Sequence, residues 1–511
     1  MSTAQPSDRI LGSRVSGSDK QSPFSRLFLI ISLVVLGVSL TVFAVTFYDS
    51  RIQPLSGYGD DMAAIDELNA RDPRALSGGD VTHFMFGGVS FETETANLPW
   101  QLSATFDAGD GVFERAFTEA IVSGYRSEAD GVGPLFNMNA CEGCHVGDGR
   151  AAPPTENGQE LEGLLFRVSV PGTDMHGGPK PHPIYGGQLA DKSIEGHKPE
   201  IALHIEYQNI VGHYADGTEY QLQKPIYLFP EQNYGPLGDD AMISPRIAPV
   251  MIGMGLLDAI SAESILEYAD VDDANNDGIS GKPNMVWSLE HNTHMVGKYG
   301  WKAETPTLAH QSMDAAINDM GVTNPLFPVE NCMALQTECG EALSGITDAN
   351  VEMTEQQMNE VVTYLEFLAI PGRGYLDNKD VLKGEALFKE VGCDGCHRET
   401  FVTGTEQRQR RLHNQTIHPY TDMLLHDMGP LLADGRPSFD ADGYEWRTAP
   451  LWGIGMVETV NGHTRFLHDG RARNLEEAIL WHGGEAEKSQ KGFTQLAAAD
   501  RQSVINFLKS L

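Results

Sequence analysis

Cys393-Asp394-Gly395-Cys396-His397 decides how the rest of the chain is read. Two thiols three positions apart, with an imidazole directly after them, form the attachment signature of c-type haem. The sulfurs add across the two vinyl groups of one porphyrin, and the adjoining histidine reaches the iron as proximal ligand. Cys141-Glu142-Gly143-Cys144-His145 repeats the pattern. The expectation is two covalently bound haem c groups, one on Cys141, Cys144 and His145, the other on Cys393, Cys396 and His397. Around the second motif, Val381 to Phe388 reads as a helix running into Cys393. Asp500 to Leu511, with Val504, Ile505, Phe507, Leu508 and Leu511 on one face, reads as a closing amphipathic helix. That is the plan of a cytochrome c.

At 511 residues the chain is too long for one ordinary domain, and 41% hydrophobic residues with 8% aromatics fit a globular protein. A formal charge of −35 makes nucleic acid and anionic lipid headgroups poor partners. A small redox partner (a cytochrome or cupredoxin) or a small oxidant fits better. Four of the six cysteines belong to the haem motifs, leaving Cys332 and Cys339. Haem c is attached outside the cytoplasm, where thiols oxidise, so these two are expected to close a short disulfide loop, with a pair of free redox thiols as the rival reading. Leu27 to Phe47 is an uncharged run of 21 residues behind a basic flank. At ~1.5 Å per residue it is long enough to span a bilayer core of roughly 30 Å. It reads as an anchor that leaves a cytoplasmic tail (1–26) and places the rest in the periplasm.

Between the two motifs the pattern changes. An apolar helical period runs through Val112 to Tyr125 toward the first motif, and residues 245–268 and 353–369 again read as helix. Residues 160–235 instead alternate, as in Leu164-Phe166-Val168 and Ala202-His204-Glu206, with a turn at Asp216-Gly217. Asp273, Asn275, Asp277 and Ile279, with Gly278 for the bend, reproduce the front half of a calcium loop. Position 12 of that loop is Asn284 and not Glu, so it departs from the EF-hand. Together these readings predict a mainly α chain with two cytochrome c-like haem domains and an N-terminal transmembrane helix. The segments are an anchor at 27–47, a linker and wrapping segment at 48–100, a first haem domain at 101–372 with a β-rich insertion at about 160–235, and a second at 373–511.

Several stretches then carry a resemblance: Leu76-Ser-Gly-Gly79, Gly133-Pro-Leu-Phe-Asn137, Ser244-Pro-Arg-Ile-Ala-Pro249, Tyr299-Gly-Trp-Lys-Ala303, His426-Asp-Met-Gly429, Glu445-Trp-Arg-Thr-Ala-Pro450 and Phe466-Leu-His-Asp-Gly-Arg-Ala472. With both haem motifs they make residues 76–511 resemble the di-haem c oxidoreductases known as thiol oxidoreductases or peroxidases. That family is related to bacterial di-haem cytochrome c peroxidases, the di-haem enzyme that matures methylamine dehydrogenase, and the di-haem rubber oxygenases. The resemblance implies that the second haem's distal ligand lies 14 residues after His468, which is His482. Met428 and Met456 are the rivals. It implies that Trp301 sits between the haems and that Gln311 lies in the distal pocket. Where the peroxidases carry a distal Glu, this chain has Phe327, and phenylalanine carries no proton. Glu330, three residues on, is the nearest carboxylate in sequence. Arg246 and Asp258 are candidate polar groups of the pocket. The implied protein is a membrane-anchored, peroxidase- or oxygenase-like enzyme, with the first haem as active site and a bis-histidine second haem passing electrons. A di-haem electron carrier without a substrate site is the alternative.

Overall fold

Helices form where an apolar face recurs at 3.6-residue spacing and a polar side chain is at hand to cap the start. The computed structural model describes residues 71–120, 131–157, 159–346 and 351–511. The principal helices are α1 (Ser103–Phe113), α2 (Met254–Ala259), α3 (Leu308–Met320), α4 (Glu355–Phe367), α5 (Lys379–Glu390), α6 (Leu475–Trp481) and α7 (Ala498–Leu508). Thr354 and Gln357 form a reciprocal capping box on α4, and Thr307, Asn378 and Asn474 cap α3, α5 and α6. Two glycines set the helix packing. A Cβ on Gly109 of α1 would sit 2.1 Å from the Glu360 carbonyl of α4, and one on Gly384 of α5 would sit 1.8 Å from that of Ser503 in α7. Both pairs therefore pack backbone to backbone, α1 on α4 before the first haem motif and α5 on α7 around the second.

Strands β1 (Leu164–Ser169), β2 (Gln188–Leu189), β3 (Ile201–His213), β4 (Glu219–Gln232) and β5 (Met242–Ile247) build the insertion. β1 is flanked by β2 and β5, with Phe166 opposite both Leu189 and Pro245. β3 and β4 form a long antiparallel hairpin that projects to the far end of the chain. At its tip Tyr214 Oη donates to Glu476 Oε1 at 2.7 Å, and Ala215 N donates to Thr494 O at 3.0 Å. Short pairs follow: β6 (Met285–Ser288) with β7 (Thr293–Val296), and β8 (Leu425–Asp427) with β9 (Glu445–Arg447).

The expectation of a mainly α chain is overturned. The described residues are 28% helix and 19% strand, spread over seven small sheets. The 54 glycines and 27 prolines keep most segments from continuing a helix, so short ladders and irregular loops carry the rest. Two expected helices fail for local reasons. The one expected from Val112 ends at Phe113, and Phe117 N goes instead to Asn139 O. The one expected at 245–268 begins as strand β5, because Pro245 and Pro249 break it and β1 recruits the segment; only α2 and residues 262–266 are helical. Among the described residues no helix is long and apolar enough to cross a membrane; the stretch 27–47 lies outside them.

One continuous core joins Phe91 and Leu98 of the wrapping segment, Phe113 of α1, Val361 and Leu365 of α4, and Phe388, Val504 and Phe507 of α5 and α7. A second core, with Leu164, Phe166, Leu189 and Ile201, fills the insertion.

Candidate functional site

The first Cys-x-x-Cys-His segment closes as a turn in which Cys144 N and His145 N both donate to Cys141 O. Gly143 is required there, since a Cβ would sit 2.5 Å from Met138 Cγ. His145 Nδ1 lies 2.8 Å from Pro249 O. A carbonyl only accepts, so Nδ1 carries the hydrogen and Nε2 keeps its lone pair for a metal. Burial lowers the imidazole's pKa and keeps it neutral. Cys141, Cys144 and His145 face a cavity of about 470 Å³.

The second motif follows α5 through Gly392, which takes the left-handed conformation at φ 87°. His397 Nδ1 lies 2.9 Å from Tyr420 O, and burial pushes its pKa down to about 4. His482 stands at the C-terminal end of α6 with Nδ1 2.6 Å from Ala478 O. Its charge would oppose that of His397. Met428 and Met456 pack against the main core. None of the four motif cysteines is in a disulfide, and His145, His397 and His482 each have Nδ1 held by a carbonyl, which leaves Nε2 for a haem iron. The residues therefore fit two haem groups.

The cavity at the first motif gathers what the sequence singled out: Trp301, Gln311, Phe327 and Arg246 all line it. Trp301 Nε1 donates to Ile247 O at 2.9 Å, with the Arg150 guanidinium 5.2 Å from its ring. Its loop is pinned by Lys302, a fully enclosed ammonium that donates to Asp434 Oδ1, Arg436 O and Asp442 O at 2.7–2.8 Å. Arg447 ties the Trp301 loop to the segment that follows Tyr420. Its backbone N donates to Trp301 O and its Nε to Gly300 O, while Nη1 reaches Met423 Sδ at 3.7 Å, three residues from Tyr420. Arg246 lies 3.5 Å from Glu304 and 4.7 Å from the face of Trp446, which stacks on His468 at 3.8 Å. Burial would raise the pKa of Glu304, but Arg246, Arg436 and Arg167 outweigh it and hold the carboxylate at about 2.

Other candidates fall elsewhere. Asp258 Oδ1 accepts Leu308 N at 3.1 Å and so fixes the start of α3. Glu330 accepts Ser344 Oγ at 2.6 Å and faces Glu352, and it does not line the cavity. His182 staples a turn, whereas His176 stacks on Trp287 at the cavity's edge. Cys332 and Cys339 are joined in a disulfide. Asp273, Asn275 and Asp277 accept backbone N–H groups of their own loop. That loop leans on the second centre, where Ser280 Oγ donates to Glu485 Oε1 and Ile279 covers Gly395.

Two residues were invisible to sequence reasoning. His426 is clamped between Asp422 Oδ2 at 2.9 Å and Glu485 Oε2 at 2.7 Å, beside Cys396. Burial opposes its charge, but the two carboxylates and the Cys396 sulfur raise its pKa far above the usual range. His310, on α3 next to Gln311, is the other.

Two Cys-x-x-Cys-His segments, three imidazoles with Nδ1 held by carbonyls, and a largely apolar cavity beside one of them fit a two-centre haem protein. The chain belongs to the family described as "Di-haem oxidoreductase, putative peroxidase", whose model matches residues 74–511. No curated protein matches the chain. Among solved structures it is similar to hydrazine synthase of Kuenenia stuttgartiensis at 17% identity and a TM-score of 0.21, over 37% of this chain and 65% of that one. A likeness that faint carries no argument about fold or function.

Proposed function

We propose that this di-haem oxidoreductase is a peroxidase- or oxygenase-like enzyme with covalent haem c at both motifs, in which the first centre reacts and the second handles electrons. The observation that carries this reading is the asymmetry between the centres. His145 looks into a 470 Å³ cavity lined by Trp301, Gln311, Phe327 and Arg246, whereas neither His397 nor His482, both fixed through Nδ1, lines it. When bound, the haem groups supply the one-electron chemistry. The protein's part is to fix three imidazoles as lone-pair donors through Pro249, Tyr420 and Ala478, to keep them neutral by burial, and to shape the cavity.

In this reading electrons pass between the centres by way of Trp301, whose carbonyl accepts Arg447 N. Phe327 makes its part of the cavity apolar and removes the carboxylate that the peroxidases use. The reductant in this reading is a small redox partner, a cytochrome or cupredoxin. Location in the periplasm, held at the inner membrane, rests on the apolar stretch 27–47, and calcium at 273–279 rests on the loop's spacing alone.

Titrating the reduced protein with carbon monoxide tests the reading. One carbon monoxide per two haem groups is expected, with peroxide or dioxygen altering the same centre's spectrum. No uptake by either centre would leave an electron carrier instead.

A further inference from the structure

Each of the three imidazoles assigned to iron has its Nδ1 fixed by a backbone carbonyl, at Pro249, Tyr420 and Ala478. A fourth buried imidazole reaches the first cavity without that fixing. His310 is 5% exposed, it lines the cavity, and its ring centre lies 6.2 Å from that of Phe327. Its Nδ1 is enclosed without a hydrogen bond, and among the described residues no side-chain hydrogen bond ties the ring at all. An unfixed, unbonded imidazole is a poor candidate for a permanent ligand, because nothing sets its tautomer. It is well suited to exchange a proton with whatever enters the cavity.

The other groups in the wall are less free to do this. His176, a second imidazole there, is stacked on Trp287 at 4.2 Å. Phe327 has no proton to move. Gln311 has its carbonyl taken by Thr305 Oγ1 at 2.7 Å and offers only amide hydrogens. Glu304 is locked as an anion by Arg246, Arg436 and Arg167. Asp314 is paired with Arg167 at 2.9 Å. Asp319 lies nine residues further along α3, roughly 13 Å away at ~1.5 Å per residue; burial pushes its carboxyl up to about 6, and it accepts Gln188 Nε2 at 2.8 Å. Asp174 caps its own turn through His176 N and Gly178 N.

We propose that His310 is the acid–base group of the first haem's open face, acting on a small protic oxidant of the hydroperoxide class. The proposal rests on the reading of the first centre given above. In the step, the oxidant's O–H bond breaks as the Nε2–H bond forms, leaving an imidazolium, and the same proton returns to the product oxygen. No electron moves in this transfer. The surroundings suit an acceptor that starts neutral: burial lowers the pKa of His310, partly offset by Asp314 on α3 and Glu290 in the β6–β7 turn. Its place in the first turn of α3 acts in the same direction as burial. Charged groups of other elements that line the same cavity are Glu304, Arg246, Arg436, Arg167 and Asp174, with Asp319 further along α3.

Hydrogen cyanide is the probe, because it must lose a proton to bind ferric iron. Its association rate is measured by rapid mixing across acid to neutral pH for the wild-type holoprotein, His310→Gln and His310→Phe. A general base contributes ~10²–10⁴-fold, so both variants should slow by that order and lose the acid-side fall in rate. An intact low-spin signal from the second haem reports that each variant is folded. Unchanged rates in the variants would overturn the proposal while leaving the open first centre in place. A first haem that turns from low-spin to high-spin on substitution would make His310 a ligand and overturn it too. A wild-type protein that takes up no cyanide would overturn the reading of the first centre itself.

Discussion

Replacing Lys302 by methionine tests the loop that carries Trp301. Methionine keeps most of the stem but supplies none of the three donors that satisfy Asp434 Oδ1, Arg436 O and Asp442 O. Asp434 is as enclosed as Lys302. Without its closest cation it retains Ser244 Oγ, Arg436 N and a long 3.7 Å approach to Arg246. Removing one partner of a buried ion pair costs ~3–5 kcal/mol. The two carbonyls left without a donor push the cost toward the top of that range. Against a total stability of ~5–15 kcal/mol, Lys302→Met should fold yet unfold at distinctly lower urea. Adding Asp434→Asn removes the stranded charge, so the double variant should lose less than the sum of the singles, by ~1–3 kcal/mol. Urea titrations of the holoprotein, followed by far-ultraviolet circular dichroism, give all four corners of the cycle. A single-variant loss below ~1 kcal/mol, or strict additivity, would refute the reasoning.

Glu200, 3% exposed, has its carboxyl pushed by burial from 4.5 up to about 8, although Ala190 N and Gln336 both donate to it. Its contribution to stability is therefore complete below the unfolded value and is lost as pH rises through about 8. Over that span the displacement is worth up to ~5 kcal/mol, so Glu200→Gln should flatten the fall in thermal stability between pH 4.5 and about 8; an unchanged profile would contradict the burial argument. His482→Ala should expose the second haem, raising carbon monoxide uptake from one to two per chain and removing the bis-histidine low-spin signal. Replacing Cys332 and Cys339 by serine opens a short loop, seven residues in separation. Chain entropy puts that loss at ~2.5 kcal/mol, with spectra and reduction of both haem groups unchanged; a loss of redox function would revive the thiol reading.

What the sequence made legible follows from how local each signal is. The two haem motifs are set by covalent spacing, which tertiary structure cannot alter. The hairpin β3–β4 was readable because alternation and a turn residue sit side by side in sequence. Phe113 and Phe117 share a helical period, yet the chain leaves the helix between them, because the backbone of Phe117 pairs with Asn139. The helix expected at 245–268 lost its start to strand β5, whose partner, β1, lies some eighty residues back. His426 owes its raised pKa to Asp422, four residues away, and to Cys396 and Glu485, 30 and 59 residues away, which only the fold brings to it. His310 looked like any lone histidine until the fold enclosed it beside Gln311 and Phe327.

Electron paramagnetic resonance of the ferric holoprotein, repeated with cyanide, tests most directly the claim that one haem is open and the other closed. The account predicts two distinct signals: a first centre that is high-spin or converts when cyanide binds, and a low-spin bis-histidine second centre that does not respond. Two low-spin centres that both ignore the ligand would contradict it.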